Sequence, residues 1–379
     1  MRSEEERGLL ADSDPIIVKV GSRVLSGTQN KLDIGQVNRL GQQLSRMMEA
    51  GKRVVLVSSG AVAAGMGRLG LESRPRSLAR LQAVASVGQA HLIQAYEAAL
   101  AENRRHAAQV LLTADDLDDR KRYLNLRNTL VALLEMGVVP IVNENDSVSV
   151  DELLTTFGDN DRLAAMVAGL FQRPALVILS DVEGVFDTRT ESTHDANILH
   201  TIDRVDEEVL ALAVDKKTGL SKGGMASKLK AAQFVTRSGA PVVIAGGRVE
   251  GVLQKVLAGE TIGTLFKAED RALSPRKRWI GFSAQTVGSI TCDWGATEAL
   301  QAQTPSLLAI GITAVRGPFE KGDIVAIRNP DETEFARGLI NYSHSELEKI
   351  RGLQSDSIES VLGHCPYEEV IHRDNIALL

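Results

Sequence analysis

The sequence predicts an α/β protein, with a three-layer, mostly parallel sheet followed by a small β-rich domain. Three observations carry this prediction. Short apolar runs alternate with stretches of helical periodicity, the runs are apolar at nearly every position, and the pattern changes after residue 267. Because continuously apolar strands are typical of a sheet covered on both faces, the alternation indicates a parallel sheet between two helical layers.

The elements of this first domain, at 15–267, begin with a strand at 15–20, which comes after a polar tail at 1–14. Asp33 can cap the next helix, whose apolar side chains from Ile34 onward recur at spacings of three and four residues until Gly51 ends it. The further strands are predicted at 53–57, 109–112, 138–142, 175–179 and 241–244, and the further helices at 123–136 and from about residue 161.

The second domain is predicted at 279–379, after a basic linker at 268–278 that has one proline and little apolar content. Its short β-like segments, at 288–291, 310–313 and 322–327, are separated by Gly, Pro and Asn, which is typical of a small β-rich fold. The domain has seven basic and fourteen acidic residues, so it carries a net charge of −7, against +1 for the rest of the chain.

Composition excludes several classes of protein. With 44% hydrophobic and 24% charged residues, the 379-residue chain is neither disordered nor collagen-like. Its net charge of −6 argues against a general nucleic-acid or membrane binder. No apolar stretch approaches the ~20 residues that cross a bilayer and no signal peptide is evident, so we expect a cytoplasmic protein. Cys292 and Cys365 are too few for a disulfide framework or a thiolate metal site.

Four glycine-containing segments lie at or just beyond predicted strand ends, where open parallel sheets bind ligands. In the first, Lys19 precedes Gly21, and a lysine beside exposed backbone N–H groups can hold phosphate; a surface lysine before an ordinary turn is the alternative. In the second, Ser59 lies in the segment 58–65, whose small residues let the backbone approach an anion. An ordinary turn between a strand and a helix is the alternative interpretation of this segment. The G-x-G-x-x-G match at 65–70 lies too far past the strand to be a dinucleotide motif.

The third segment contains two acid–amide clusters, 143–146 and 159–161, separated by a hairpin-like stretch at 148–156. Such clusters can bind an amino group, a metal or the cation of another residue. The spacing does not fit an EF-hand calcium loop. Solvated turn residues are the alternative interpretation.

The fourth segment begins with Ser180 and Asp181 after a strand and is followed by a glycine turn at 221–228. Two glycines before a helix, with Lys228 one turn into it, suit phosphate binding by N–H groups and a point charge, although an ordinary helix start has the same pattern. The turn is not a Walker A loop. Histidines at ligand spacing and a nucleophile elbow are both missing from the sequence, so zinc and hydrolase chemistry are poorly supported.

These segments together resemble the motifs of the amino acid kinase family. The matching sequences, in family order, are Lys19-Val-Gly-Ser, Ser58-Ser-Gly-Ala-Val-Ala-Ala-Gly, Val142-Asn-Glu-Asn-Asp, Gly158-Asp-Asn-Asp, Ser180-Asp-Val-Glu-Gly-Val-Phe and Gly223-Gly-Met-Ala-Ser-Lys. The resemblance covers roughly residues 14–268. The tail, with Trp279-Ile-Gly, Gly317-Pro-Phe-Glu-Lys-Gly-Asp and His372-Arg-Asp, is similar to a PUA domain.

The resemblance implies ATP-dependent phosphorylation of the γ-carboxylate of L-glutamate to γ-glutamyl phosphate, the first step of proline biosynthesis, with Mg²⁺ accompanying ATP. It also implies a homo-oligomer, dimer or tetramer, and feedback inhibition by proline. Sibling kinases that act on N-acetylglutamate, aspartate, carbamate or a nucleoside monophosphate are alternative hypotheses. A PUA-type RNA-binding protein is a further alternative, which the acidic tail opposes.

The resemblance implies roles for three sets of residues. The catalytic set is Lys19, Lys228 and Asp161, with Asp159 as a further residue that orients the lysines. The glutamate-binding set is Ser59, Asp146 and Asn160. The ATP-binding set is Lys19, Ser180, Asp181, Lys222, Gly223, Gly224, Met225, Ala226, Ser227 and Lys228. Lys222 and Ala226 replace residues that carry hydroxyl groups in the family, and Lys222 adds a positive charge beside the nucleotide.

The chemistry of this reaction accounts for the residue types. A γ-carboxylate with a pKa of ~4.3 is ionised at neutral pH, so no general base is needed. The difficulty is its repulsion from the γ-phosphate, ~4 kcal/mol for unit charges ~4 Å apart at an effective dielectric of about 20. Lysines and backbone N–H groups can cancel this repulsion. A buried carboxylate such as Asp146 is the natural partner of the free α-ammonium group.

Overall fold

The computed structural model describes residues 7–8, 10–27, 31–148, 159–187, 197–213, 224–269, 274–303 and 305–379. The chain divides into two compact units, Met1–Leu117 with Lys121–Ala272, and Asp118–Arg120 with Leu273–Leu379. None of the helices in the described ranges has the length and apolar character needed to span a membrane.

An eight-stranded sheet forms the centre of the first unit. Its strands are β1 (Ile16–Val20), β2 (Val54–Ser58), β3 (His106–Leu112), β4 (Val138–Glu144), β5 (Ala175–Ser180), β6 (Thr201–Ile202), β7 (Val242–Gly246) and β8 (Thr264–Phe266). They lie in the order β3-β4-β2-β1-β5-β7-β8-β6. The described strand pairs are parallel except for β7 with β8, so the predicted mostly parallel sheet is confirmed.

Helices pack against this sheet in two layers. The described helices before residue 272 are α1 (Ser22–Leu25), α2 (Ile34–Glu49), α3 (Ala61–Leu69), α4 (Leu78–Ala101), α5 (Ala114–Asp118), α6 (Arg120–Glu135), α7 (Asp159–Gly169), α8 (Glu207–Ala211), α9 (Gly224–Arg237) and α10 (Val252–Leu257). Apolar residues of α2 and α4 pack with Val18 and Val20 in one buried cluster. Helix α7 contacts β1 and α9. As predicted, Asp33 caps α2, accepting a hydrogen bond from the backbone N–H of Gln36.

The residues before β1 contribute a buried cation. The guanidinium of Arg7 donates to the backbone carbonyl oxygens of His200 at 2.6 Å, Ile262 at 2.8 Å, Glu260 at 3.0 Å and Gly263 at 3.4 Å. Five donors in a planar fork allow one arginine to satisfy several carbonyl groups at once. The periodicity of the first fourteen residues does not predict this contact.

The second unit contains a five-stranded sheet in the order β10-β9-β11-β12-β13. Its strands are β9 (Gly288–Cys292), β10 (Ile312–Arg316), β11 (Ile324–Arg328), β12 (Glu334–Leu339) and β13 (Ile376–Leu378). Its helices are α11 (Pro275–Arg278), α12 (Trp294–Gln303), α13 (His344–Ile350) and α14 (Ile358–Leu362), and a π-helical turn covers Trp279–Ser283. The predicted β-rich domain is confirmed. The segment predicted as a strand from residue 310 begins at Ile312, because Ala309–Gly311 forms a 3₁₀ turn.

Candidate active site

The carboxyl ends of four adjacent parallel strands carry the candidate site. β4, β2, β1 and β5 lie side by side, and the segments singled out in the sequence follow directly after them. Parallel strands place their carboxyl ends at one edge of the sheet, which is where ligands bind in open α/β folds. This topology brings sequence segments together that are far apart along the chain.

A buried carboxylate joins two lysines at this edge. The Nζ atom of Lys19 lies 2.6 Å from Oδ1 of Asp161, and the Nζ atom of Lys228 lies 3.1 Å from Oδ2. The side chain of Asp161 is 0% exposed, and those of Lys19 and Lys228 are 5% and 11% exposed. We call these three residues the lysine cluster. The structure therefore brings together the three residues predicted as catalytic.

Local structure explains how each member reaches the cluster. Side chains alternate across a strand, so Lys19 projects from the opposite face of β1 to Val18 and Val20, which pack in the core. Asp161 is the third residue of α7, where a carboxylate is favoured by the helix dipole. Side chains on a helix lean toward its N-terminus, and Lys228 accordingly also donates to the carbonyl oxygen of Gly224 at 3.1 Å.

The charges of the lysine cluster determine its ionisation. Burial alone would raise the pKa of Asp161, but the ammonium groups of Lys19 and Lys228 outweigh it and hold the pKa below its ordinary value. Burial lowers the pKa of Lys228, and the charge of Lys19 adds to this effect while Asp161 opposes it. One carboxylate between two ammonium groups leaves an excess of positive charge, which suits a site for phosphate.

Amide and hydroxyl groups lie beside the lysine cluster. The Nδ2 atom of Asn160 donates to Oγ of Ser59 at 2.9 Å and to Oδ1 of Asn143 at 3.2 Å. Asn143 also accepts from the backbone N–H of Glu144 at 2.9 Å. Asn143 belongs to one of the predicted acid–amide clusters but was not among the predicted site residues. Its position at the end of β4, next to β2 in the sheet, is the signal that identifies it.

Asp146 lies two residues beyond β4 and is 4% exposed. The Nε2 atom of Gln89 lies 3.4 Å from its Oδ2 atom. Burial raises the pKa of Asp146 to about 6, while the hydrogen bond from Gln89 and the positive charge of Arg74 act in the opposite direction. Gln89, on α4, was not among the predicted site residues.

The predicted nucleotide residues follow β5 and begin α9. Ser180 donates to Oδ1 of Asp181 at 3.2 Å, and Arg23 lies 3.0 Å from Oδ2 of the same carboxylate. Burial opposes ionisation of Asp181, but Arg23 and Ser180 hold its pKa below the ordinary value. Gly224, Met225, Ala226 and Ser227 form the half-buried first turn of α9. Lys222 and Gly223, the side chain of Asp159, and the predicted hairpin-like stretch from residue 149 onward lie outside the described residues.

Comparison with family models identifies the chain. The model of the amino acid kinase family matches residues 14–246, and that of the PUA domain matches residues 288–362. The chain belongs to the amino acid kinase family. The resemblance inferred from its motifs is therefore confirmed, together with the C-terminal PUA domain.

This amino acid kinase is similar over most of its length to curated relatives named glutamate 5-kinase. The relative from Rhodopirellula baltica is 48% identical over 372 residues, which cover 98% of this chain and 95% of the relative. The relative from Pseudomonas putida strain W619 is 46% identical over 363 residues, which cover 96% of this chain and 97% of the relative. A solved structure, the UMP kinase from Bacillus anthracis, matches with a TM-score of 0.46 and 13% identity, covering 68% of this chain and 97% of that one.

The donor set of this amino acid kinase is compatible with a nucleotide-borne Mg²⁺. Within the described residues, no group of three or more His, Cys, Asp or Glu side chains could hold a metal ion. Mg²⁺ in kinases keeps several water ligands and is bound by substrate phosphates with one or two carboxylates, so it needs no cage of protein ligands. Buried cations, amide donors and a buried carboxylate at one sheet edge can together bind a polyphosphate and a zwitterion.

Proposed function

We propose that this amino acid kinase transfers the γ-phosphoryl group of ATP to the γ-carboxylate of L-glutamate, producing γ-glutamyl phosphate and ADP, as in the first step of proline biosynthesis. The observation that carries the proposal is the Asp161 carboxylate held between Lys19 and Lys228. The curated relatives named glutamate 5-kinase support the same substrate over nearly the whole chain. Neither another acceptor nor an RNA-binding function receives support.

In this proposal, the ionised γ-carboxylate is the nucleophile. One of its oxygens forms a bond to the γ-phosphorus while the bond from that phosphorus to the β–γ bridging oxygen breaks, and ADP leaves with the electron pair. Lys19 and Lys228 neutralise the charge on the phosphoryl oxygens, and Asp161 orients the two lysines. Mg²⁺ bound to ATP supplies further neutralisation. Catalysis therefore consists of positioning and charge cancellation, without a proton transfer.

The glutamate is recognised by Ser59, Asn160 and Asp146. Asp146 pairs with the α-ammonium group, because an unpaired cation is costly to desolvate. An N-acetylated substrate has no such cation and leaves the buried carboxylate unpaired, which disfavours it. ATP is held by Lys19, Ser180, Asp181, Lys222, Gly223, Gly224, Met225, Ala226, Ser227 and Lys228.

The remaining family properties form part of the same proposal. They are a nucleotide-bound Mg²⁺, assembly into a dimer or tetramer, inhibition by proline and a cytoplasmic location. Sedimentation analysis of the full chain tests the assembly, and titration of the reaction with proline tests the inhibition.

Trapping of the acyl phosphate tests the proposed reaction. Hydroxylamine is added to the full chain with Mg-ATP and L-glutamate, and γ-glutamyl hydroxamate is expected to accumulate in proportion to ADP. Parallel reactions contain N-acetylglutamate, aspartate or carbamate. Faster ADP release with one of these acceptors than with glutamate would reject glutamate as the substrate.

A further inference from the structure

Helix α4 contacts the segment that carries Asp146. The side-chain amide of Gln89 donates to Oδ2 of Asp146 at 3.4 Å and to the carbonyl oxygen of Glu144 at 3.3 Å. Gln89 is 7% exposed and Asp146 is 4% exposed, so water has little access to replace these hydrogen bonds. A single amide therefore connects α4 to both the backbone and the carboxylate of the segment beyond β4.

The position of Gln89 is fixed by a close helix crossing. A Cβ atom on Gly88 would lie 1.7 Å from the carbonyl oxygen of Ala61, and one on Gly65 would lie 1.9 Å from that of Val84. Both distances are impossible, so only glycine allows α3 and α4 to approach this closely. Gln89 follows Gly88 directly, and Ala61, the first residue of α3, comes two positions after Ser59. At this crossing, the backbone next to Gln89 therefore packs against the backbone that follows Ser59, on the other side of the proposed glutamate site.

The same helix supports Ser59 two turns further along. The hydroxyl groups of Tyr96 and Ser58 are 3.1 Å apart, and Ser58 donates to the carbonyl oxygen of Ser59 at 3.0 Å. Tyr96 is 0% exposed. Residues seven apart lie on nearly the same face of a helix, so Gln89 and Tyr96 act from one face of α4. Helix α4 therefore contacts both flanks of the proposed glutamate site.

We propose that Gln89 is a positioning residue of the acceptor site, whose amide group holds the Asp146 carboxylate in place for the α-ammonium group of the substrate. This inference rests on the proposed function. Gln89 acts through Asp146 and does not contact the reacting atoms. Its loss affects the affinity for the amino acid and leaves the phosphate end of the site unchanged.

The variant Gln89→Met tests this role, because methionine keeps the length of the side chain and removes the donor. We expect the KM for glutamate to rise about tenfold, the effect of losing a hydrogen bond to a charged group, while kcat and the KM for ATP stay within about twofold. Gln89→Glu replaces the donor with a carboxylate beside Asp146, and we expect a larger rise in the same KM. Gln94→Met, at an exposed position of α4, is the matched control and is expected to behave as the wild type.

A double-mutant cycle separates positioning from a general structural effect. In the Asp146→Asn background, Gln89→Met is expected to raise the KM for glutamate less than about twofold, because the group that it positions has been changed. The same tenfold effect in both backgrounds, a parallel rise in the KM for ATP, or an unchanged KM for glutamate in both Gln89 variants would each overturn the proposal. Absence of γ-glutamyl hydroxamate with the wild type would instead reject the proposed function.

Discussion

Asp161 and Asp146 are two buried aspartates of the proposed site whose pKa values are shifted in opposite directions. Asp161 is 0% exposed and has a lowered pKa, whereas Asp146 is 4% exposed and has a pKa raised to about 6. Asp161 contacts two ammonium groups, while Asp146 has one amide donor and the charge of Arg74. At the proposed phosphate end of the site, the carboxylate therefore already has two cationic partners in the protein. Within the described part of the chain, Asp146 has no ion pair at the proposed amino acid end, and the α-ammonium group of the substrate can provide one.

The largest expected effect is on the phosphate end. Lys228→Met is expected to lower kcat about 10³-fold, with a small change in the KM for glutamate, because a cation that stabilises developing charge acts mainly in the transition state. Steady-state kinetics at saturating Mg-ATP measure it. Lys230→Met, an exposed lysine on the same helix, is the control for loss of charge. An unchanged kcat in Lys228→Met would remove this residue from the proposed role.

A smaller effect is expected at the amino acid end. Asp146→Asn should raise the KM for glutamate about 100-fold, the effect of replacing a charged partner of an ammonium group with a neutral one, and change the KM for ATP less than about threefold. Initial rates with each substrate varied separately measure the two constants. Equal losses of both affinities would contradict the division of the site into two ends.

The free energy of unfolding without substrates provides a further test of the difference between the two aspartates. Asp161→Asn is expected to reduce the free energy of unfolding by about 3 kcal/mol, because two buried ammonium groups lose their counter-ion. Asp146→Asn is expected to increase it by about 1–3 kcal/mol at pH 8, since burial of this carboxylate raises its pKa and its charged form therefore disfavours folding. Thermal denaturation of the full chain without ligands measures both shifts, and shifts of the same sign in the two variants would contradict the comparison.

The sign of the second effect follows from proton linkage. The folded-state pKa of Asp146 is raised from its ordinary value of 3.8 to about 6, so the folded protein binds this proton more tightly than the unfolded chain. As pH rises through this range, the group makes folding less favourable. Asp161 has a lowered pKa, so its contribution is stabilising above its ordinary value and is lost as pH falls through the folded-state value.

The smallest expected effect is a pH dependence confined to one substrate. The value of kcat/KM for glutamate should fall as pH decreases through about 6, because protonated Asp146 no longer attracts the α-ammonium group. The KM for ATP should not change over the same pH range, since Asp161 stays ionised at these pH values. Rates measured from pH 5 to 8 test this pH dependence, and Asp146→Asn should abolish the fall in kcat/KM for glutamate. If this fall persists in the variant, another titrating group is responsible for it.

Periodicity predicts most of the strands of the first unit. The predicted strands at 15–20, 53–57, 138–142, 175–179 and 241–244 coincide with β1, β2, β4, β5 and β7 within two residues. The strands β6 and β8 were not predicted, because runs of two and three residues carry no alternation. In the second unit, β12 and β13 were likewise not predicted. These two strands pair with each other between residues that are 38 or more positions apart, which a local pattern does not encode.

The α/β class, the family and the residue types of the proposed site follow from the amino-acid sequence, since motifs and strand ends are local properties of the chain. Which of these residues contact one another depends on the fold. Lys228 contacts Asp161 across 67 positions, and Gln89 contacts Asp146 across 57. The strand order β4-β2-β1-β5 and the glycine crossing of α3 and α4 create these contacts. Burial then sets the ionisation of each carboxylate, because the free energy of a charge depends on the partners and solvent that the fold leaves beside it.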